Sequence, residues 1–143
     1  MITHAKMKDV LMRDGIVVQT IVGKSMYPML RNRKDVVVIS RYKGKLKKYD
    51  IPLYQRDDKY VLHRIVEVKP EYYVIVGDNC INKEYVKEEQ IIGVLTDFYR
   101  GERKVDMNGW KYKIYVYVWC ALFPVRYVWK KARYTLGKIL KSK

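Results

Sequence analysis

The alternation of hydrophobic and polar residues predicts a chain rich in β-strands up to about residue 103. A short helix is predicted first, over AKMKDVLMRDG, where Ala5, Val10 and Leu11 recur near helical spacing and Gly15 suits a C-terminal cap. Runs of β-branched or alternating residues then predict six strands. These runs are residues 16–22, 35–42, 51–56, 60–69, 72–78 and 91–101.

Local turn signals indicate how some of these strands connect. The runs 60–69 and 72–78 are predicted to pair as a hairpin across the turn at residues 69–71. Pro52 favours an edge position for its strand, because proline has no backbone N–H to donate to a neighbour. The segment KEEQ, residues 87–90, is predicted to form a short helical turn before the last strand.

The pattern changes near Trp110, where aromatic residues, leucines and basic residues mix without turn signals up to the end. This texture predicts one or two amphipathic helices, broken near Pro124. We therefore expect a β domain over residues 1–107, with its core at about 15–103, and a basic, aromatic helical tail over residues 108–143. The predicted fold class is mostly β, with a short N-terminal helix and a helical C-terminal extension.

The charge balance adds an expectation about partners. The chain has 143 residues, of which 49% are apolar, so it can bury a core of its own. Its 30 Lys and Arg against 15 Asp and Glu give a formal net charge of +15. Such an excess is typical of proteins with an anionic neighbour, such as a membrane surface, a nucleic acid or an acidic partner, although it can also be a solvated face.

Composition points away from several other classes. Cys80 and Cys120 lack metal-binding spacing and are expected to be free thiols, and with only two histidines we expect no metal site and no cofactor. No secretory signal peptide is evident, and no run reaches the roughly 20 apolar residues that span a bilayer. The nearest run, residues 114–123, is too short to span but rich in aromatics, as interfacial segments are. The expected location is therefore peripheral on a membrane, or cytoplasmic.

Three short motifs carry the candidate chemistry. They are GKSMYPML at residues 23–30, YVLHRIVEV at 60–68 and VGDN at 76–79. Their order and spacing resemble the type I signal peptidases, within the clan that includes the self-cleaving SOS repressors. The resemblance covers about residues 16–100 and implies a signal-peptidase-like β domain with a serine nucleophile in the first motif and its base in the second.

The second motif indicates a branch of that family. A histidine followed by arginine, here His63-Arg64-Ile65, resembles the endoplasmic-reticulum and archaeal branch, whereas most bacterial members have a lysine as the base. The resemblance implies Ser25 as nucleophile and His63 as general base. The chemistry is reasonable, because a serine hydroxyl needs a base to take its proton, and an imidazole can do so near neutral pH.

A carboxylate on the other imidazole nitrogen would fix the tautomer and stabilise the imidazolium. Asp78 is the first candidate, since it follows a strand expected to pair with the one carrying His63. Glu84 is the second, because the histidine branch has an acid a few residues after its Gly-Asp-Asn turn. Asp78 could instead support the site structurally, since Gly-Asp-Asn is also an ordinary turn.

Two departures from the family pattern bear on the mechanism. Gly23 stands where bacterial members have a Ser or Thr that helps hold the oxyanion, so the backbone N–H of Ser25 is expected to serve instead. Met26 and Pro28 are expected to shape the turn and the wall of the substrate groove. No membrane span precedes Ser25 in the sequence, so residues 108–143 are the expected attachment to an anionic membrane surface.

These observations favour a serine endopeptidase that cleaves leader or signal peptides, with a peptide or preprotein as its partner. The alternative is a catalytically silent, basic binding module on the same fold, directed at an anionic membrane or a nucleic acid. Nucleic acid is the less favoured partner, because no helix-turn-helix is visible before the β domain. The tail could equally pack on the core or lie on a membrane.

Overall fold

Two antiparallel sheets and three α-helices make up residues 4–142, the part of the chain that the computed structural model describes. The helices are α1 (His4–Asp14), α2 (Trp110–Ala121) and α3 (Phe123–Lys141). The strands are β1 (Ile16–Thr20), β2 (Asp35–Ser40), β3 (Pro52–Arg56), β4 (Lys59–Leu62), β5 (Arg64–Val68), β6 (Tyr73–Val76), β7 (Glu84–Val86), β8 (Ile91–Arg100) and β9 (Arg103–Val105). A 3-10 turn, Glu88–Gln90, precedes β8 as predicted.

The larger sheet has the order β1-β2-β8-β3-β4, with β9 paired to β8, and the smaller sheet has the order β5-β6-β7. The hairpin of β5 and β6 confirms the pairing predicted across residues 69–71. Strands β7 and β9, each three residues long, were not predicted, because such short strands leave no clear pattern of alternation.

Two strand predictions were wrong. The edge position suggested by Pro52 is not observed, since β3 lies between β8 and β4. Pro52 is accommodated there as the first residue of the strand, a position that proline tolerates. The run 60–69 is also not one strand: it leaves the larger sheet after Leu62 and enters the smaller one at Arg64, with His63 at the junction.

Within residues 4–142, most buried hydrophobic residues form two clusters. Met7 and Leu11 of α1 pack with Val37, Ile39 and other buried residues on the larger sheet. Gly15 ends α1 as predicted, with φ at +79° and its N–H bonded to the Leu11 carbonyl at 2.9 Å. A second cluster, which includes the fully buried Tyr54, lies between the smaller sheet and the larger one.

The C-terminal helices relate to this fold in different ways. On α2, Val116 is buried, and Tyr112 and Tyr115 pack against the core of the larger sheet. On α3, no described side chain is buried. The break between them lies near Pro124, as predicted. With helices of 12 and 19 residues here, the chain as a whole mixes helices with sheets, and only its central part is mostly β. Among residues 4–142, no helix combines the length and apolar character needed to cross a bilayer.

Candidate active site

Ser25 lies in a tight turn between β1 and β2. The turn is closed by hydrogen bonds from the Tyr27 N–H to the Lys24 carbonyl, at 3.1 Å, and from the Leu30 N–H to the Met26 carbonyl, at 2.9 Å. Met26 is buried and anchors the turn in the protein interior, whereas Ser25 is half-buried and stays accessible. Its N–H donates to no protein acceptor within residues 4–142 and can donate to a ligand.

The Gly-Asp-Asn turn, residues 77–79, is hydrogen-bonded to the turn that carries Ser25. The Asn79 N–H donates to the Ser25 carbonyl at 2.8 Å, and the Asn79 side-chain amide donates to the Lys24 carbonyl at 3.0 Å. The Asp78 N–H contacts the sulfur of Met26 at 3.4 Å. Two motifs that are some 50 residues apart in sequence therefore form one structural unit.

The absence of a side chain at Gly77 allows His63 to lie close to the turn that carries Ser25. A Cβ atom at Gly77 would lie 2.6 Å from the Ser25 carbonyl oxygen, 2.8 Å from Cys80 Sγ and 3.0 Å from His63 Cδ2. Only a residue without a side chain fits at such distances, so the glycine lets the serine turn and the histidine ring approach from two sides. No hydrogen bond joins the Ser25 hydroxyl to His63 in the described residues, and such bonds are often long without substrate.

His63 is held through its Nδ1 atom. This nitrogen lies 3.2 Å from the hydroxyl of Tyr54, and that hydroxyl donates its proton to Glu84 Oε2 at 2.7 Å. A tyrosine has only one hydroxyl proton, so its oxygen must accept the proton on Nδ1. The arrangement therefore selects the Nδ1–H tautomer and leaves Nε2 as the unprotonated nitrogen, as a general base requires. Arg56 forms an ion pair with Glu84 at the end of this chain.

Burial governs the titration of these groups. His63 is only 6% exposed, and burial lowers its pKa below the ordinary 6.5, an effect that the negative charge of Glu84 opposes. Burial and the bond to Glu84 both raise the pKa of Tyr54, which stays a neutral hydroxyl. At neutral pH the imidazole is therefore uncharged and can accept a proton.

Asp78, the first candidate for orienting His63, is placed elsewhere. Its carboxylate forms a two-pronged ion pair with Arg64, at 2.8 and 2.9 Å, and also accepts the Tyr115 hydroxyl at 2.8 Å. Within the described residues it makes no hydrogen bond with His63. The charge of Asp78 also acts to raise the pKa of His63, but its effect on that pKa is smaller than the effects of burial, Glu84 and Arg56. The carboxylate connected to the imidazole, through Tyr54, is that of Glu84.

Ser25 and His63 open into the same cleft, which has a volume of about 1250 Å³. Residues from β1 and β4, which stand at the two ends of the strand order of the larger sheet, line it, together with Glu84. Of the predicted groove residues, Gly23 and Met26 line the cleft. The Gly23 N–H is already bonded to Asn32 Oδ1 at 2.8 Å. Pro28 lies outside the lining, and its carbonyl accepts a hydrogen bond from Arg100 at 3.3 Å.

Cys80 also lines the cleft and carries a thiol that could act as a nucleophile. Its sulfur lies 3.8 Å from the Ser25 carbonyl oxygen. Burial raises the pKa of the Cys80 thiol, so the reactive thiolate is disfavoured at neutral pH. Cys80 is therefore a neutral wall residue of the cleft, and Ser25 remains the candidate nucleophile.

Two residues that contact the candidate site, Tyr54 and Asn79, did not stand out in the sequence as site residues. A signal for Tyr54 exists, because the turn at residues 57–58 sets a hairpin register in which Tyr54 faces Val61, two residues before His63. A buried tyrosine hydroxyl also needs a polar partner. Asn79 stood within a recognised motif, but its bonds to the serine turn depend on tertiary contact.

A scan against protein-family models finds no match for this chain, and a search of curated proteins finds none either.

Proposed function

We propose that this protein is a serine endopeptidase of the signal-peptidase type, with Ser25 as nucleophile and His63 as general base. The observation that carries the proposal is the chain of hydrogen bonds from His63 Nδ1 through Tyr54 to Glu84, beside a cleft shared with Ser25. This chain leaves Nε2 of a cleft-lining histidine unprotonated, which a general base requires and a purely structural histidine does not. The motif order in the sequence supports the same pair.

In the proposed mechanism the Ser25 Oγ attacks the peptide carbonyl carbon while His63 Nε2 takes the hydroxyl proton. The carbonyl oxygen becomes an oxyanion that the Ser25 N–H stabilises. The C–N bond then breaks, and His63 returns its proton to the leaving amine. Water repeats the sequence on the acyl-enzyme and releases the second product. Tyr54 and Glu84 act as positioning residues, since they hold the imidazole and stabilise its charge without touching the substrate.

The topology supports an extended peptide as substrate. The strands β1 and β4 stand at the two ends of the strand order of the larger sheet, each with one edge unpaired among residues 4–142, and residues of both line the cleft with Ser25 and His63. A peptide that adds as a strand to such an edge is held by backbone hydrogen bonds, which do not depend on its sequence. Leader or signal peptides with small residues at the cut are the substrates implied by the family resemblance. Cleavage beside a membrane surface, with the enzyme bound peripherally, fits that substrate class.

The second candidate is a non-catalytic basic module on the same fold, favoured by the net charge of +15. The two candidates differ in what they require of the cleft. A binding module needs its basic surface but neither the Ser25 hydroxyl nor an unprotonated Nε2 on His63.

The test is to incubate the purified full chain with a library of leader peptides, beside the variants Ser25→Ala and His63→Ala. We expect cleavage by the wild type and a loss of kcat/KM of at least about 10⁴-fold in each variant. Lys24→Ala is the matched control, because Lys24 is exposed beside the nucleophile, and it should cleave like the wild type. Equal cleavage by all four proteins, or by none, would refute the peptidase proposal.

A further inference from the structure

The helix α3 turns its apolar side away from the protein. Six large hydrophobic residues recur at helical spacing along one side, and each is between 51% and 66% exposed. We call this set the apolar face of α3; it consists of Val125, Val128, Trp129, Leu136, Ile139 and Leu140. Helices of globular proteins normally bury such a face against their own core.

The opposite, polar side holds α3 to the fold. Arg126 Nη1 donates to the Asp78 carbonyl at 2.8 Å, and its guanidinium stacks on the Trp119 ring, 4.6 Å from the ring centroid. One turn later, Lys130 donates to the carbonyl of Asn79 and contacts its side-chain oxygen at 3.1 Å. The usual arrangement of an amphipathic helix is therefore reversed, and a partner is needed to cover the apolar face.

Charge indicates which partner. The helix has no acidic residue, and the basic residues Lys131 and Arg133 fall on either side of the apolar face, where their long stems can lie beside buried apolar groups and their charges can reach a polar boundary. The whole chain has a formal net charge of +15. A second copy would bring two basic helices together, whereas an anionic lipid surface complements them.

We propose that the apolar face of α3 lies in the interface of an anionic bilayer, with the helix in the plane of the membrane. A helix of 19 residues is about 28 Å long, so the contact is extended. An apolar face with a tryptophan, flanked by Lys and Arg, is the pattern of interfacial helices. The exposed Lys138 and Lys141 add attraction to anionic headgroups near the end of the helix.

This placement sets the position of the cleft. Arg126 and Lys130 bind the turn at residues 78–79, and the same turn holds the backbone of Ser25. The turn therefore lies about one helix diameter, roughly 10 Å, from the lipid. If the proposed peptidase function holds, the enzyme cuts peptides close to the membrane surface. The binding itself does not depend on that function.

The test is flotation of the full chain with vesicles of phosphatidylglycerol and phosphatidylcholine, and with phosphatidylcholine alone. We expect binding to the anionic vesicles that weakens with added salt. Trp129→Gln should weaken it about tenfold, and Trp129→Gln with Leu136→Gln about a hundredfold. The matched control is Tyr134→Gln, on the polar side: Tyr134 is 64% exposed, as Trp129 is, and its loss should change binding by less than about twofold.

Several results would overturn this proposal. They are no binding of the wild type to anionic vesicles, an equal loss in Tyr134→Gln and Trp129→Gln, or a dimer in sedimentation velocity that the apolar-face variants dissociate. Circular dichroism monitors the helix. Lys131→Glu with Arg133→Glu, which leaves the apolar face intact, should weaken the preference for anionic vesicles. Two measurements separate membrane binding from peptidase activity. Vesicle binding by Ser25→Ala tests membrane binding without the proposed nucleophile. Cleavage of a soluble peptide by the Trp129→Gln/Leu136→Gln protein tests the peptidase without the apolar face.

Discussion

His63 and Arg64 are neighbours in sequence, yet they belong to two different polar networks. His63 faces the cleft and is linked through Tyr54 to Glu84, whose side chain is 25% exposed. Arg64 points the other way, into the interior, where it pairs with Asp78 and both side chains are almost fully buried. Adjacent side chains of an extended chain point to opposite sides, and here the chain also passes from one sheet to the other at His63.

The two networks indicate different roles for Asp78, which pairs with Arg64, and for Glu84, which is linked to His63. Burial opposes the charge of Arg64, but its bonds to Asp78 outweigh this and raise its pKa, so the guanidinium stays charged. For His63 burial prevails and its pKa falls, so the ring is neutral and ready to exchange a proton. An inert ion pair suits the support of a fold, and a neutral imidazole suits proton transfer.

The largest effect on stability is expected from Asp78→Ala. The change leaves the Arg64 guanidinium, which is 1% exposed, without its counter-charge, and should lower the free energy of unfolding by about 3–5 kcal/mol. Urea denaturation measures this as a lower midpoint at an unchanged slope. Glu84→Ala is the comparison, and it should cost less because Glu84 is partly solvated. Equal losses in the two variants would contradict the division of roles.

Tyr54→Phe should affect activity more than stability. It removes the oxygen that accepts the His63 Nδ1 proton, so the imidazole loses its fixed tautomer, and kcat/KM should fall on the order of 10- to 100-fold. Steady-state cleavage of a leader peptide measures this. The matched control is Tyr85→Phe, an exposed tyrosine next to Glu84, which should behave like the wild type. An unchanged kcat/KM in Tyr54→Phe would remove Tyr54 from the positioning role.

Glu84→Gln should have the smallest effect, visible mainly in the pH profile. The amide oxygen can still accept the Tyr54 hydroxyl, but the negative charge that raises the pKa of His63 is gone. The pKa of His63 should therefore fall further below 6.5, and the acid limb of kcat/KM should move to lower pH. Glu67→Gln, at an exposed position of β5 paired with Lys69, should leave the limb in place. A shift to higher pH would refute the assignment, and a matching shift in Asp78→Asn alone would return the orienting role to Asp78.

Local patterns predicted much of the architecture. The helix ending at Gly15, the hairpin of β5 and β6, and the two C-terminal helices follow from periodicity and turn residues close in sequence. The prediction failed where a long-range neighbour decides the outcome. The edge position for Pro52 failed because β8, some forty residues later, pairs along the other side of β3.

The candidate site likewise combines residues that the sequence suggested with contacts that only the tertiary structure shows. Motif order suggested Ser25 and His63, and the structure places both on one cleft, with Gly77 allowing their approach. The partner of His63 could not be read from spacing, because Asp78 and Glu84 were both plausible. Tyr54 comes from a third part of the chain, and its hydroxyl lies between the imidazole and Glu84.

By itself, the sequence determined the secondary structure of most of the chain, the basic charge, the amphipathic character of α3 and the motifs with their order. These depend on intervals of a few residues, which set the faces of helices and strands. Only the tertiary structure decided that Asp78 pairs with Arg64, that Glu84 reaches His63 through Tyr54, and that α3 exposes its apolar face. Each of these depends on which distant groups compete for a buried charge or a hydrogen bond, and that competition is settled only when the elements pack together.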